Sequence, residues 1–133
     1  MKMQRKTYKS IQTAILKKYK KKYSFILDYP EETSCCRYFI GQILISEKQY
    51  LHPTAKNVFI MLHEIGHAET SNIQMTFTER EFYATQWAIK EMKKYNFEVN
   101  QKIKDWFQDY IWDYCQKEYP KQRKKIKEFT LQW

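Results

Sequence analysis

The chain has 133 residues, 43% of them hydrophobic and 17% aromatic, which is enough for one domain with a real core and argues against extended disorder. Its only glycines are Gly41 and Gly66, so neither G-x-x-x-x-G-K-[ST] nor G-x-G-x-x-G can be written, and no run approaches the roughly 18 apolar residues of a membrane span. The net charge of +9 is uneven: residues 1–29 hold nine Lys/Arg and one acid, residues 116–133 six and two, and residues 30–115 nine and twelve, so a basic fringe surrounds a mildly acidic middle.

Near the N-terminus, lysines interrupt the apolar run that a secretory signal needs ("IQTAILKKYKKKY"), so a cytoplasmic protein is expected. Cys35, Cys36 and Cys115 read as reduced thiols, because neighbouring cysteines are badly placed to bridge each other and no C-x-x-C occurs. Cys36 and Cys115 are expected as small buried hydrophobes.

Residues 7–20 place Tyr8, Ile11, Ile15 and Tyr19 on one face of a lysine-rich helix. "YSFILDY" (23–29) reads as a strand, "PEETS" as a turn, and "CRYFIGQILIS" (36–46) as a hairpin or one kinked strand around Gly41. Pro53 suits the first turn of a helix whose run 58–69 holds no breaker except Gly66. A second helix is expected over 78–95, capped by Thr76 or Thr78, with Glu79 and Glu81 in its first turn. A third, over 99–119, has Ile103, Phe107, Tyr110, Ile111 and Tyr114 at core spacing; Pro120 ends it and a basic tail follows. Tyr83, Trp87, Trp106, Phe107 and Trp112 read as core or partner-facing aromatics. The expected fold class is α+β, a single domain over 1–133 with a small antiparallel sheet packed on the helix of residues 58–69 and on further helices.

That helix carries the chemistry. In "NVFIMLHEIGHAET" (57–70), His63 and His67 lie four apart and so project from one face, where two imidazoles can share one ion. Neutral imidazole suits zinc, and Glu64, rotated from His63, stands where a general base for water would be. Val58, Phe59, Ile60, Met61 and Leu62 make the helix apolar nearly all round, so the polar trio is costly to bury without a partner such as a metal. A catalytic zinc site needs a third protein ligand. No histidine follows His67, which excludes H-E-x-x-H-x-x-G-x-x-H and leaves Glu69, Glu79 and Glu81. Glu69 projects away from His67. Glu81, Ala84, Thr85 and Ala88 form a stripe of small residues that allows close helix approach, whereas Glu79 falls with Arg80, Tyr83 and Gln86 on a wetter side; Glu81 is favoured. Gly66 either serves the same approach or is a tolerated helix glycine.

"HEIGHA", with "EFYATQWA" beginning fourteen residues after His67, resembles the ImmA/IrrE family of small zinc metallopeptidases in its H-E-x-x-H and E-x-x-A-[DN]-x-[FW]-A signatures. "GQILIS" upstream is similar to that family's strand before the active-site helix, so the resemblance covers residues 36–92. It implies a zincin-like fold, zinc ligands His63, His67 and Glu81, Glu64 as general base, and an intracellular bacterial or phage setting in which relatives cleave transcriptional repressors. Thr85 departs from the pattern, standing where Asp or Asn orients a metal-binding histidine. The helix-turn-helix region of some relatives has no counterpart here. SprT-type proteases are a weaker resemblance, through a strand followed by H-E-x-x-H.

The expected activity is therefore zinc-dependent endopeptidase action on an intracellular protein, such as a DNA-binding repressor. The strand near 42–46 is expected to hold substrate in extended form. A Tyr, His or Arg is expected to assist the oxyanion; eleven tyrosines leave the choice open, and His52 reads as an exposed loop residue. The rival reading is a catalytically weak zinc-fold binding module: "KKYKKKY" (17–23) and "KQRKK" (121–125) could grip phosphates while tyrosines stack on bases, or could form a merely solvated surface.

Overall fold

The computed structural model describes residues 5–133, a mixed α+β arrangement of six helices and a three-stranded sheet. Helix α1 (Arg5–Tyr19) buries Ile11, Ile15 and Tyr19 and leaves Lys9, Lys17 and Lys18 exposed, the amphipathic pattern read above. Strand β1 (Ser24–Tyr29) follows, then the 30–34 turn, strand β2 (Cys35–Arg37), a 3-10 turn (Tyr38–Ile40), and strand β3 (Gln42–Ser46). Gly41 joins the last two in a left-handed conformation, φ +63°, which glycine adopts without steric penalty. Of the two readings of 36–46, the hairpin is the one observed.

The sheet is mixed, not antiparallel as expected: β2 pairs antiparallel with β3, but β1 pairs parallel with β3, giving the order β1-β3-β2. The cause lies in the apolar content of β3. Ile43, Leu44 and Ile45 are all buried, so this strand takes the centre, with Ile43 and Ile45 in the main core and Leu44 on the other face. Two chain reversals then leave the first and third strands pointing the same way. A short helix absent from the sequence reading, α2 (Glu47–Leu51), packs on β1 and β3.

Helix α3 (Ala55–Thr70) is the axis of the molecule, touching α1, α2, α4 and the sheet. It starts two residues after Pro53, which therefore lies outside its first turn, because Thr54 caps it by accepting a hydrogen bond from the Asn57 N–H at 3.2 Å. Helix α4 (Phe77–Lys94) opens on a full capping box: Thr76 accepts from the Glu79 N–H at 3.1 Å, and Glu79 accepts from the Thr76 N–H at 2.9 Å. Helix α5 (Gln101–Glu118) is capped by Asn100, and its far end bonds back to α4, Glu118 accepting from the N–H of Phe77 and from the N–H and hydroxyl of Thr78.

The basic tail is more than basic. After α6 (Arg123–Lys127), Phe129 and Leu131 are buried in the core and Trp133 packs on Phe59, ring centroids 5.5 Å apart. Two glutamines fix this segment: Gln108 bonds both the Phe129 carbonyl and the Leu131 N–H, and Gln86 bonds both backbone groups of Gln132. Phe107 is buried as expected, and Trp87 and Trp112 pack partly buried against the core, but Tyr83 and Trp106 are 44% and 53% exposed. Cys115 is fully buried. No helix among the described residues is long and apolar enough to cross a membrane.

Gly66 earns its place by helix contact. A Cβ there would sit 2.4 Å from the Ala84 carbonyl oxygen, a backbone atom that cannot rotate aside. Gly66→Ala should therefore force α3 and α4 apart, lowering stability by about 1–3 kcal/mol. Denaturant unfolding measures this, with Ala68→Gly as a comparison at a site without that backbone contact.

Candidate metal centre

The close α3–α4 contact brings three side chains from two helices to one point. His63 and His67 project from one face of α3, and Glu81 projects from the second turn of α4. The Nε2 atoms of His63 and His67 are 3.2 Å apart, and Glu81 Oε2 lies 3.0 Å and 3.1 Å from them respectively. These residues form the one group among those described whose ligand atoms could hold a metal ion. The other two carboxylates are committed elsewhere: Glu79 to its capping box, and Glu69 to Lys22 Nζ and the Tyr23 hydroxyl, each at 2.7 Å. His52 is exposed and lies outside the cleft.

The proton count at this triangle decides what it can accept. The Thr85 hydroxyl donates to the Glu81 carbonyl at 2.7 Å, so toward His63 Nδ1, 3.0 Å away, it can only accept. His63 therefore carries its proton on Nδ1 and turns a bare Nε2 toward Glu81. Burial lowers the His63 pKa, only partly offset by Glu81, so the ring is neutral at pH 7. On this side of the group a ring lone pair faces a Glu81 oxygen at 3.0 Å, an arrangement that a bound cation would resolve. The spacing fits: bonds of about 2.0–2.1 Å in a tetrahedral zinc site set ligand atoms about 3.3–3.4 Å apart.

Thr85 does the work expected of an Asp or Asn, using a hydroxyl whose own proton is spent on the helix backbone. Ser71 Oγ stands 3.2 Å from His67 Nδ1 and plays the matching part for the second imidazole; the sequence reading did not single it out.

Glu64 differs from these. Its side chain is buried, residue exposure 7%, and lines the cleft without a hydrogen bond to any described protein group. Burial, then the charge of Glu81, raise its pKa well above the ordinary value. The cleft, about 630 Å³, is walled by α3 (Lys56, Ile60), by α5 (Trp106, Phe107, Tyr110) and by β2 with the residues before it. Phe107 ties centre to core, its ring 4.9 Å from Phe59 and 5.7 Å from His63.

Two residues of the cleft were beyond the sequence reading. Tyr110, read as a core residue, lines the cleft with its hydroxyl 3.4 Å from that of Tyr114, and burial first, then Glu81 and Tyr114, raise its pKa. Its signal was its place one helical turn past Trp106 on α5. Cys36, expected in the core, is half-buried on the cleft wall, where burial and then the charge of Glu64 push its thiol up to about 12. The expected substrate strand, β3, is paired on both sides and cannot add another; the free edge at the cleft belongs to β2.

No family model, curated protein or solved structure matches the chain. The ImmA/IrrE resemblance accordingly rests on the sequence motifs alone.

The role of Thr85 has a direct check. Thr85→Val keeps the shape but strands the His63 Nδ1–H, and zinc affinity measured by chelator competition should fall by about 10–100-fold. Thr85→Asn, which restores an acceptor, should lose less.

Proposed function

We propose that the chain is a zinc-dependent metalloendopeptidase acting on an intracellular protein. One observation carries this reading: two imidazole nitrogens and a carboxylate oxygen converge within 3.2 Å of one another, beside a buried glutamate that lines the same cleft without a protein hydrogen-bond partner. A carboxylate so placed is what a general base for water requires.

His63, His67 and Glu81 are the residues that would hold zinc, which when bound supplies Lewis acidity and brings the pKa of water to about 7. The chain's own groups do the rest. Glu64, aimed into the cleft, accepts a proton from the attacking water and returns it to the departing amine nitrogen. Its raised pKa suits both halves of that transfer, since the proton is held long enough to be handed on. Tyr110, kept protonated, donates a hydrogen bond to the carbonyl oxygen as negative charge grows there. The outer edge of β2 aligns an extended peptide by main-chain hydrogen bonds, and Phe107 and Ile60 exclude water from one side. A DNA-binding repressor in a bacterial or phage-infected cytoplasm is the substrate that the motif resemblance implies.

Purified protein should contain about one zinc per chain by metal analysis. Glu64→Gln should keep that zinc and lose peptide hydrolysis by about two orders of magnitude or more, while Glu81→Ala should lose the zinc itself. A wild-type chain that binds no zinc would refute the reading. Separately, Tyr110→Phe should lower kcat by about 10–100-fold with zinc content and KM little changed; an equal loss carried by KM would make Tyr110 a substrate-binding group instead.

A further inference from the structure

We infer that the cleft contains, beyond the centre at Glu64, a subsite for a bulky apolar side chain next to a carboxylate, built from Ile60, Trp106 and Lys56. This rests on the peptide reading above and specifies which peptides the cleft takes.

The placement follows from helix spacing. Lys56, Ile60, Glu64 and His67 all line the cleft, at steps of four, four and three residues, so one face of α3 runs along its length. Eight residues of helix separate Lys56 from Glu64, about 12 Å at 1.5 Å per residue. An extended peptide covers about 3.3 Å per residue, so a group at Lys56 belongs three to four residues from the bond at Glu64.

The chemistry follows from what is left unsatisfied there. Trp106 is 53% exposed yet rigidly held, stacked on Tyr110 at 5.5 Å with an interplanar angle of 6° and set edge-on to Phe107 at 5.0 Å. An exposed indole, ordered by its neighbours and beside the half-buried Ile60, is surface prepared for an apolar side chain. The Lys56 ammonium lies 5.9 Å from the Trp106 ring centroid and has no carboxylate partner among the described residues. Of the cleft's acids, Glu32 pairs with Lys48 at 3.0 Å, Glu81 sits between the imidazoles, and Glu64 stands about two helical turns from Lys56 beside the centre. Arg80, the cation at the opposite end, is spent on the carbonyls of Asn72 and Ile73 and lies over the rings of Tyr38 and Phe77. The cleft is thus asymmetric, with one uncommitted cation next to one exposed indole. An acidic side chain or a chain-terminal carboxylate is the complement of that cation.

Peptide binding to the zinc-loaded Glu64→Gln chain, read by calorimetry, tests this without turnover. End-blocked peptides carrying Phe-Glu should bind about three- to tenfold tighter than those carrying Phe-Gln. Lys56→Glu should reverse that order in favour of Phe-Lys, and Trp106→Ala should abolish the preference of Phe-Glu over Ala-Glu. A Phe-ending peptide compared as free acid and as amide separates a terminal carboxylate from a side-chain one; a preference in either arm supports the subsite. Equal binding of all these peptides, or a charge preference unchanged in Lys56→Glu, overturns it. The two readings fail separately. Hydrolysis by the wild-type chain without such preferences removes the subsite and leaves the peptidase, whereas preferential binding with no hydrolysis by the wild-type chain does the reverse.

Discussion

The structure depends on the contact between Gly66 and the Ala84 carbonyl, where two helices approach as closely as backbone allows. The stripe of Glu81, Ala84, Thr85 and Ala88 removes bulk from one side of that contact and Gly66 removes it from the other. Only at this separation can a carboxylate on α4 reach two imidazoles on α3 at 3.0–3.1 Å. The same approach delivers Thr85 to the back of His63, so a single helix contact sets both the ligand triangle and the proton position on one of its members.

Burial turns that geometry into chemistry. In water, a neutral imidazole and a carboxylate this close would each be hydrated. At the cleft wall burial limits that hydration, and a cation is the partner that would satisfy all three groups at once. Glu64 experiences the same dry surroundings with the opposite consequence. It has no second helix to supply donors, so burial, and then the charge of Glu81, raises its pKa.

Much of this was legible in the sequence because it is local. The i, i+4 histidines, a helix cap at Thr76 or Thr78 and the small-residue stripe are properties of single helices, and the stripe favoured Glu81 over Glu79 as the acid facing the histidines. What escaped depends on contacts distant in sequence. Nothing local says that β3 becomes the central strand, which makes the sheet mixed and moves the free edge to β2. Phe129 and Leu131 were hidden by the lysines before them, and their burial relies on Gln86 and Gln108, whose polar side chains gave no hint of a role in the core. Tyr110 could not be told from ten other tyrosines until α5 was laid along the cleft.

Phe107 belongs to two worlds at once, its ring closing the apolar interior on Phe59 and bracing the imidazole of His63. Interior repacking and the placement of that imidazole are therefore not independent variables in this fold. A volume change at position 59 or 107 reaches the His63 ring as well as the stability of the interior. Drift of such a small interior is restrained by the geometry of the histidine–glutamate group as well as by packing volume.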